Sequence, residues 1–254
     1  MSETFLWLFG QRVQLKKSNV FQIPNRESAT AIMGLVNVIE DLKVQQKKMV
    51  EMTVKAMLNA LDQKDHYTFG HSMRVAYYAL VMGEQMGLSK EEMYDLELSA
   101  LFHDIGKIGV PDAILNKPAR LEESEFLIMK LHPEKSGEIL AGFEGFEEIA
   151  KNATHHHERF DGRGYPSGLK ADEIPTYARI ILIADTFDAM TSTRPYRKGL
   201  PYEVAFEELR QFSGTQFDPK LVDLFIQGMT KEEEKAENVF YLPIMGKKFE
   251  KKAA

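Results

Sequence analysis

The chain has 254 residues, 44% hydrophobic and 28% charged, enough for one medium domain with an appendage or for two small domains, with a core that needs no covalent staples. A formal net charge of −6 argues against bulk electrostatic binding to DNA or to a membrane surface, so an anionic substrate would need a local basic pocket. The absence of cysteine excludes disulfides and thiolate ligands and fits a reducing, cytoplasmic setting.

Residues 1–30 hold an apolar patch, Phe5-Leu6-Trp7-Leu8-Phe9, a basic stretch (Arg12, Lys16, Lys17) and Pro24, without a pattern that assigns a fold. The patch is too short to span a bilayer or to form a signal-peptide core. A long helix is expected over residues 31–65, where Ile32, Leu35, Ile39 and Leu42 step by three and four. The phase slips at Gln45-Gln46-Lys47-Lys48, and a second stripe follows at Val50, Val54, Met57 and Leu61. Two readings stand: a helix packed on the core, or a dimerising signalling helix that feeds the domain after it.

The next segment reads as mostly helical. An apolar face from Ser72 to Met86 stops at Gly87, and Ser89 with Glu92 has the capping-box pattern of a helix that runs through His103 toward Gly106. Further helices are expected from Leu121, from Phe146 to about His157, from Pro201 to Phe212 and from Pro219 to Met229. Tyr177 to Met190 is the most apolar run; its neighbours favour a buried helix over a buried strand. Residues 229–254 read as a peripheral tail, charged at both ends around Val239-Phe240-Tyr241-Leu242.

Five of the seven histidines fall with two aspartates into a set that reads as a two-metal hydrolytic site: His71, His103, Asp104, His132, His156, His157 and Asp185. Imidazole and carboxylate hold Fe, Mn or Zn, and seven such groups exceed what one ion takes. A shared carboxylate accounts for the surplus. Asp104 is the natural bridge, because an aspartate has two oxygens and a histidine cannot link two ions. On a helix, adjacent residues diverge by about 100°, so His103 would face one ion while Asp104 reaches between two. Taken alone, the pair would read as a helix C-terminus in which His103 and Lys107 complement the dipole. Alone, too, His71 reads as a satisfied core histidine and His132, before Pro133, as ordinary. Of His155, His156 and His157, only two would face a metal. Asp185 lies in an apolar run, where an unpaired carboxylate is costly, and Asp188 follows at i+3. Phe160 to Gly168 is a Gly- and Pro-rich loop, read as a simple reversal or as a lid that holds Arg163 and Tyr165 over substrate. Arg194 and Arg197 suit phosphate, or are ordinary surface charge.

Taken in order, His71-Ser-Met-Arg74, His103-Asp-Ile-Gly-Lys107, His132-Pro133, His156-His157-Glu158, Gly164-Tyr165-Pro166, Asp185-Thr-Phe-Asp188, Arg194-Pro-Tyr196-Arg197 and Gly214-Thr-Gln-Phe217-Asp218-Pro219 resemble the HD-GYP domain family, a branch of the HD phosphohydrolases. The resemblance covers residues 55–228 and leaves out residues 1–30 and the tail. It implies an all-α, helical HD-domain bundle, here with a long N-terminal helix and an irregular N-terminal segment. It also implies hydrolysis of the bacterial second messenger cyclic di-GMP to linear pGpG and/or GMP by a metal-bridging hydroxide. One ion would be held by His71, His103, Asp104 and Asp185, the other by Asp104, His132, His156 and His157. Lys107 would act at the scissile phosphate, and Lys107, Tyr165, Asp188, Arg194 and Arg197 would contact substrate. Some members place a glutamate one turn before the first histidine and hold a third metal; Tyr67 stands here, so two divalent ions are expected, Fe or Mn, with Zn and Ni left open. Alternatives are a hydrolase of another cyclic dinucleotide such as cyclic GMP-AMP, and a low-turnover signalling adaptor that binds nucleotide or a diguanylate cyclase. The long helix suggests a homodimer.

Overall fold

The computed structural model describes residues 5–8, 11–14, 26–64, 68–193, 198–234 and 239–250. It is predominantly helical, as the sequence leads one to expect, and divides into two units, residues 1–49 and residues 50–254.

In the first unit, β1 (Phe5–Leu8) pairs antiparallel with β2 (Gln11–Gln14), Phe5 opposite Gln14 and Leu8 opposite Gln11. Residues 1–30 therefore contain a hairpin that the sequence pattern does not announce. Strands of four residues put only two side chains on each face, too few for a period of two to register. The long helix, α1 (Arg26–Lys64), begins in this unit. Its first apolar stripe is open to solvent: Leu35, Ile39 and Leu42 are all exposed.

The second unit takes up α1 from Val50. Here Val54, Leu58 and Leu61 are buried in the core and Val50 and Met57 pack against it. The phase slip thus separates a solvent-facing stripe from a core-facing one, and the core-packing reading holds for the second stripe alone. α2 (Thr68–Met86) follows, then α3 (Lys90–Phe102). The expected capping box is present: Ser89 Oγ accepts from Glu92 N at 3.2 Å, and Glu92 Oε2 accepts from Ser89 N at 2.8 Å. A 3₁₀ turn (Ile105–Gly109), α4 (Asp112–Leu115), α5 (Glu123–Met129), α6 (His132–Leu140) and α7 (Glu147–His155) come next. α8 (Thr176–Thr191), α9 (Tyr202–Gln211) and α10 (Pro219–Glu234) complete the helices among the described residues.

α2 is the axis of this unit and packs on α3, α8 and α10; α6 packs on α7 and on the 3₁₀ turn. Its residues His71 to Met82 are all buried, as are Ile180 to Ala184 of α8. Helices closed to water on nearly every side are core helices, and the apolar run at Tyr177–Met190 is the expected buried helix. Tyr78, Phe187 and Phe225 meet edge to face between them.

The C-terminal segment corrects the expectation of a peripheral tail. β3 (Val239–Leu242) and β4 (Lys247–Glu250) form an antiparallel hairpin whose Phe240, Leu242, Ile244 and Met245 are buried. Phe240 stacks on Tyr77 at 4.5 Å, and Ile244 N donates to the buried Glu97 Oε1 at 2.9 Å. The flanking charges masked a short alternating pattern. No helix among the described residues is long and apolar enough to cross a membrane.

Candidate metal centre

Five elements bring the seven predicted ligands together. His71 comes from the first turns of α2, His103 and Asp104 from the end of α3, His132 from the start of α6, His156 and His157 from the end of α7, and Asp185 from the middle of α8. The helix expected to run past His103 ends earlier. His103 is the last residue with helical angles (φ −51°, ψ −37°), and Asp104 turns out of the helix at φ −99°, ψ 4°. The carboxylate is therefore aimed by a chain reversal and not by the divergence of two helical neighbours.

That reversal is clamped to α6. Ser136 Oγ accepts from Gly106 N at 2.8 Å and donates to His103 O at 2.8 Å. A Cβ at Gly106 would collide with His132 O and Ser136 N, so only glycine lets the turn lie against the start of α6. Ser136 was invisible in the sequence, as was Asn152, whose amide donates to Ser99 Oγ at 3.1 Å and ties α7 to α3. A lone Ser or Asn carries no periodic signal of such a role.

The ligand atoms separate into two sets on either side of Asp104. His71, His103 and Asp185 offer donor atoms within 4.8 Å of one another, and so do His132, His156 and His157. Asp104 Oδ2 lies 3.3 Å from His103 Nε2 and 3.7 Å from His71 Nε2, whereas Oδ1 lies 3.2 Å from His132 Nε2 and 3.9 Å from His156 Nε2. One carboxylate oxygen faces each set.

The tautomers follow from the hydrogen bonds. Nδ1 of His103, His132 and His156 donates to the carbonyls of Ala100, Met129 and Ala153 at 2.7, 2.8 and 2.6 Å, and Nδ1 of His71 donates to Asp188 Oδ2 at 2.8 Å. With Nδ1 protonated, each neutral ring turns a bare Nε2 lone pair inward. His132 Nε2 and His156 Nε2 then stand 3.4 Å apart with no proton between them, and the buried Nε2 of His103 has no hydrogen-bond partner. Facing lone pairs and an orphaned buried nitrogen are costly unless a cation lies among them. The donor set fits a pair of metal ions.

The electrostatics of the two sets differ. Burial pushes the His156 and His157 pKa values down, His156 well below the usual range with help from His157, and His157 to about 3 with help from His132. Both are neutral donors at pH 7. Burial also opposes charge on His71, but Asp104, Asp188 and Asp185 outweigh it and push its pKa up to about 10. Without a metal, a proton on His71 neutralises the carboxylates that an ion would otherwise neutralise. Burial would raise Asp104, yet Lys107 and His103 hold it well below the carboxylate range; Lys107 Nζ donates to Asp104 Oδ2 at 2.5 Å.

Asp188, expected among the substrate contacts, is fully buried and is corrected to a support for His71. Its carboxylate also accepts from Arg74 Nε at 2.5 Å, from Arg74 Nη2 at 3.0 Å and from Ser192 Oγ at 3.0 Å, which leaves no face for a ligand. Burial is again outweighed, by His71 and Arg74, and its pKa falls to about 2. Tyr165 is at the centre: its ring stacks on His157 with centroids 4.8 Å apart, and its N donates to His157 O at 3.3 Å. The loop that carries it is held by Glu158, which accepts from Ser167 N at 2.7 Å, and by Arg159, which pairs with Asp161 and Gln216. The spare histidine, His155, lies 3.6 Å from Glu158 and outside both sets. Tyr67, Arg194 and Arg197 lie outside the described residues.

Residues 55–221 match the HD domain family model. The chain is 40% identical over 184 residues to the cyclic di-GMP phosphodiesterase response regulator RpfG of Xanthomonas campestris pv. campestris, covering 72% of this chain and 49% of that protein. It is 42% identical over 177 residues to a cyclic di-GMP phosphodiesterase of Thermotoga maritima (68% of this chain, 48% of that protein). It is 40% identical over 171 residues to the 3'3'-cGAMP-specific phosphodiesterase 3 of Vibrio cholerae (67% and 37%). The chain thus spans half or less of the length of these relatives. Among solved structures, a cyclic GMP-AMP specific phosphodiesterase of V. cholerae aligns with a TM-score of 0.55 at 21% identity, covering 72% of this chain and 49% of that one, and shows the same fold. This chain belongs to the HD domain family, and its His-Asp and Gly-Tyr-Pro segments place it in the HD-GYP branch.

Proposed function

We propose that this chain is a metal-dependent phosphodiesterase that hydrolyses cyclic di-GMP to linear pGpG and/or GMP in the cytoplasm. The observation that carries this reading is the placement of Asp104, buried, with one oxygen toward His71 and His103 and the other toward His132 and His156. The names of the Xanthomonas and Thermotoga relatives support the substrate. His71, His103, Asp104 and Asp185 would hold one divalent ion and Asp104, His132, His156 and His157 the other, Fe or Mn suiting imidazole with carboxylate. Bound there, the pair supplies Lewis acidity and an activated water. The backbone carbonyls under His103, His132 and His156 fix the rings so that no reorientation is needed on binding. Lys107, beside Asp104, places an ammonium where a phosphoryl oxygen gains charge, and stabilises it as bonding to the 3′ oxygen weakens. Tyr165 closes the side of the site at His157, and Arg194 and Arg197 supply further phosphate contacts.

A second reading has its own support: a relative of equal identity is named for 3'3'-cGAMP, so the substrate is cyclic GMP-AMP or shared between the two. Anaerobic purification with elemental analysis, followed by chromatography of products from a panel of cyclic dinucleotides, tests both. Two ions per chain and release of pGpG or GMP are expected; a folded, metal-loaded chain inert toward every cyclic dinucleotide would refute the assignment.

The exposed stripe of α1 supports self-association. Leu35, Ile39 and Leu42 are 63%, 42% and 57% exposed at coiled-coil spacing, an arrangement that a second copy of the same helix would cover. Changing all three to Gln should convert a dimer to a monomer in sedimentation experiments; an unaltered dimer places the interface elsewhere.

A further inference from the structure

Two residues before His132, at the end of α5, stands Lys130. It is half-buried, and its Nζ lies 4.9 Å from the centre of the Phe126 ring and 5.2 Å from the centre of the Tyr165 ring. Tyr165 in turn stacks on His157. A metal-ligating ring, a tyrosine and an ammonium therefore follow one another outward from the metal centre. Neighbouring lysines are engaged: Lys107 with Asp104, Lys117 with Glu125, and Lys135 with Gly109 O. Lys130 has no carboxylate among the described residues, in a chain with 38 acidic side chains and only 32 Lys and Arg. Aromatic faces alone are weak partners for a cation that is partly out of water. An anion brought by a ligand supplies what the protein leaves out.

A cyclic dinucleotide carries two phosphodiesters, one on each side of its ring. When one is at the ions and Lys107, the other is still a desolvated charge that needs a cation. We infer that Lys130 binds the phosphodiester that is not being cut, and so selects for a two-phosphate substrate over a simple diester. This inference rests on the cyclic dinucleotide reading above.

The test compares the metal-loaded full chain with its Lys130→Met and Lys130→Arg variants on cyclic di-GMP and on bis(p-nitrophenyl) phosphate, a diester with a single phosphate. In Lys130→Met, loss of one charge-assisted hydrogen bond should lower kcat/KM for cyclic di-GMP relative to that for the nitrophenyl ester by roughly ten- to a hundredfold, mainly through KM. Lys130→Arg should restore most of it. If Lys130→Met loses both activities equally, or if its ratio matches the parent, the assignment falls while the phosphodiesterase reading stands. If Lys130→Met does not fold, Lys130→Arg and Lys130→Gln carry the comparison, and equal ratios in those two overturn it. A parent chain that cleaves the nitrophenyl ester but neither binds nor cleaves any cyclic dinucleotide overturns both.

Discussion

The two halves of the candidate metal centre both hold imidazole rings from behind at Nδ1, in His71 and His103 on one side and His132 and His156 on the other, but meet different electrostatic problems. Around His132, His156 and His157 there are three imidazoles, and burial keeps His156 and His157 uncharged. Around His71 and His103 there are Asp185 and, behind His71, the Asp188–Arg74 pair. The first of these surroundings has uncharged rings at His156 and His157 and takes its negative charge from the shared Asp104 alone. The second is rich in carboxylate, and a proton on His71 serves as its counter-charge until metal arrives. The difference teaches that sets sharing most of their ligand types need not be equivalent; replacing one imidazole by Asp185, and backing His71 with Asp188, makes one half richer in carboxylate than the other.

Asp104 is where the two halves meet, and its removal should have the largest effect. Asp104→Ala is expected to lower turnover at least about a thousandfold and to reduce bound metal in both halves, as measured by elemental analysis of anaerobically purified protein. A variant that kept two ions and its activity would break the comparison, because neither half would then depend on the shared oxygen pair.

Asp188 acts on one half only. Asp188→Ala removes the buried carboxylate to which both the Arg74 guanidinium and the His71 ring are bonded, at a cost of about 3–5 kcal/mol. Thermal or denaturant melting should show that loss, together with weakened binding of one ion and retention of the other. Equal loss of both ions would mean that the halves are not electrostatically separate.

pH gives the smaller and sharper test. The folded-state pKa of His71, near 10, lies above its ordinary 6.5, so its contribution is fully present below pH 6.5 and is lost as pH rises through 10. The Asp188 pKa, near 2, lies below its ordinary 3.8, so its contribution is present above pH 3.8 and is lost as pH falls through 2. The metal-free protein should therefore melt lower at pH 10 than at pH 6.5, by about 4 °C or more, and metal should flatten that slope by replacing the proton. A flat profile without metal would remove the charged-half description.

Much of the site was legible because the chemistry is carried by rare residue types. His71, His103, Asp104, His132, His156, His157 and Asp185 stood out as nitrogen and oxygen donors among apolar neighbours, and the structure brings all seven together. The residues around the candidate ligands were harder. Asp188, at i+3 from Asp185, was expected to contact substrate, and only the arrival of Arg74 and His71 from α2 shows that its oxygens are taken. Lys130 gave no signal, since a lysine in an amphipathic stretch resembles any surface lysine until Tyr165 is seen beside it.

By itself the sequence determined the helical class, the positions of most helices, the phase slip in α1 and the inventory of candidate ligands, because periodicity, caps and donor chemistry are local properties of the chain. Tertiary structure alone decided which oxygen of Asp104 faces which histidines, which ring nitrogen is left bare, that Asp188 supports His71, and that the C-terminal hairpin belongs to the core. Each of these depends on backbone carbonyls and side chains brought from distant segments, and distance in the chain says nothing of where burial and hydrogen bonding will place them.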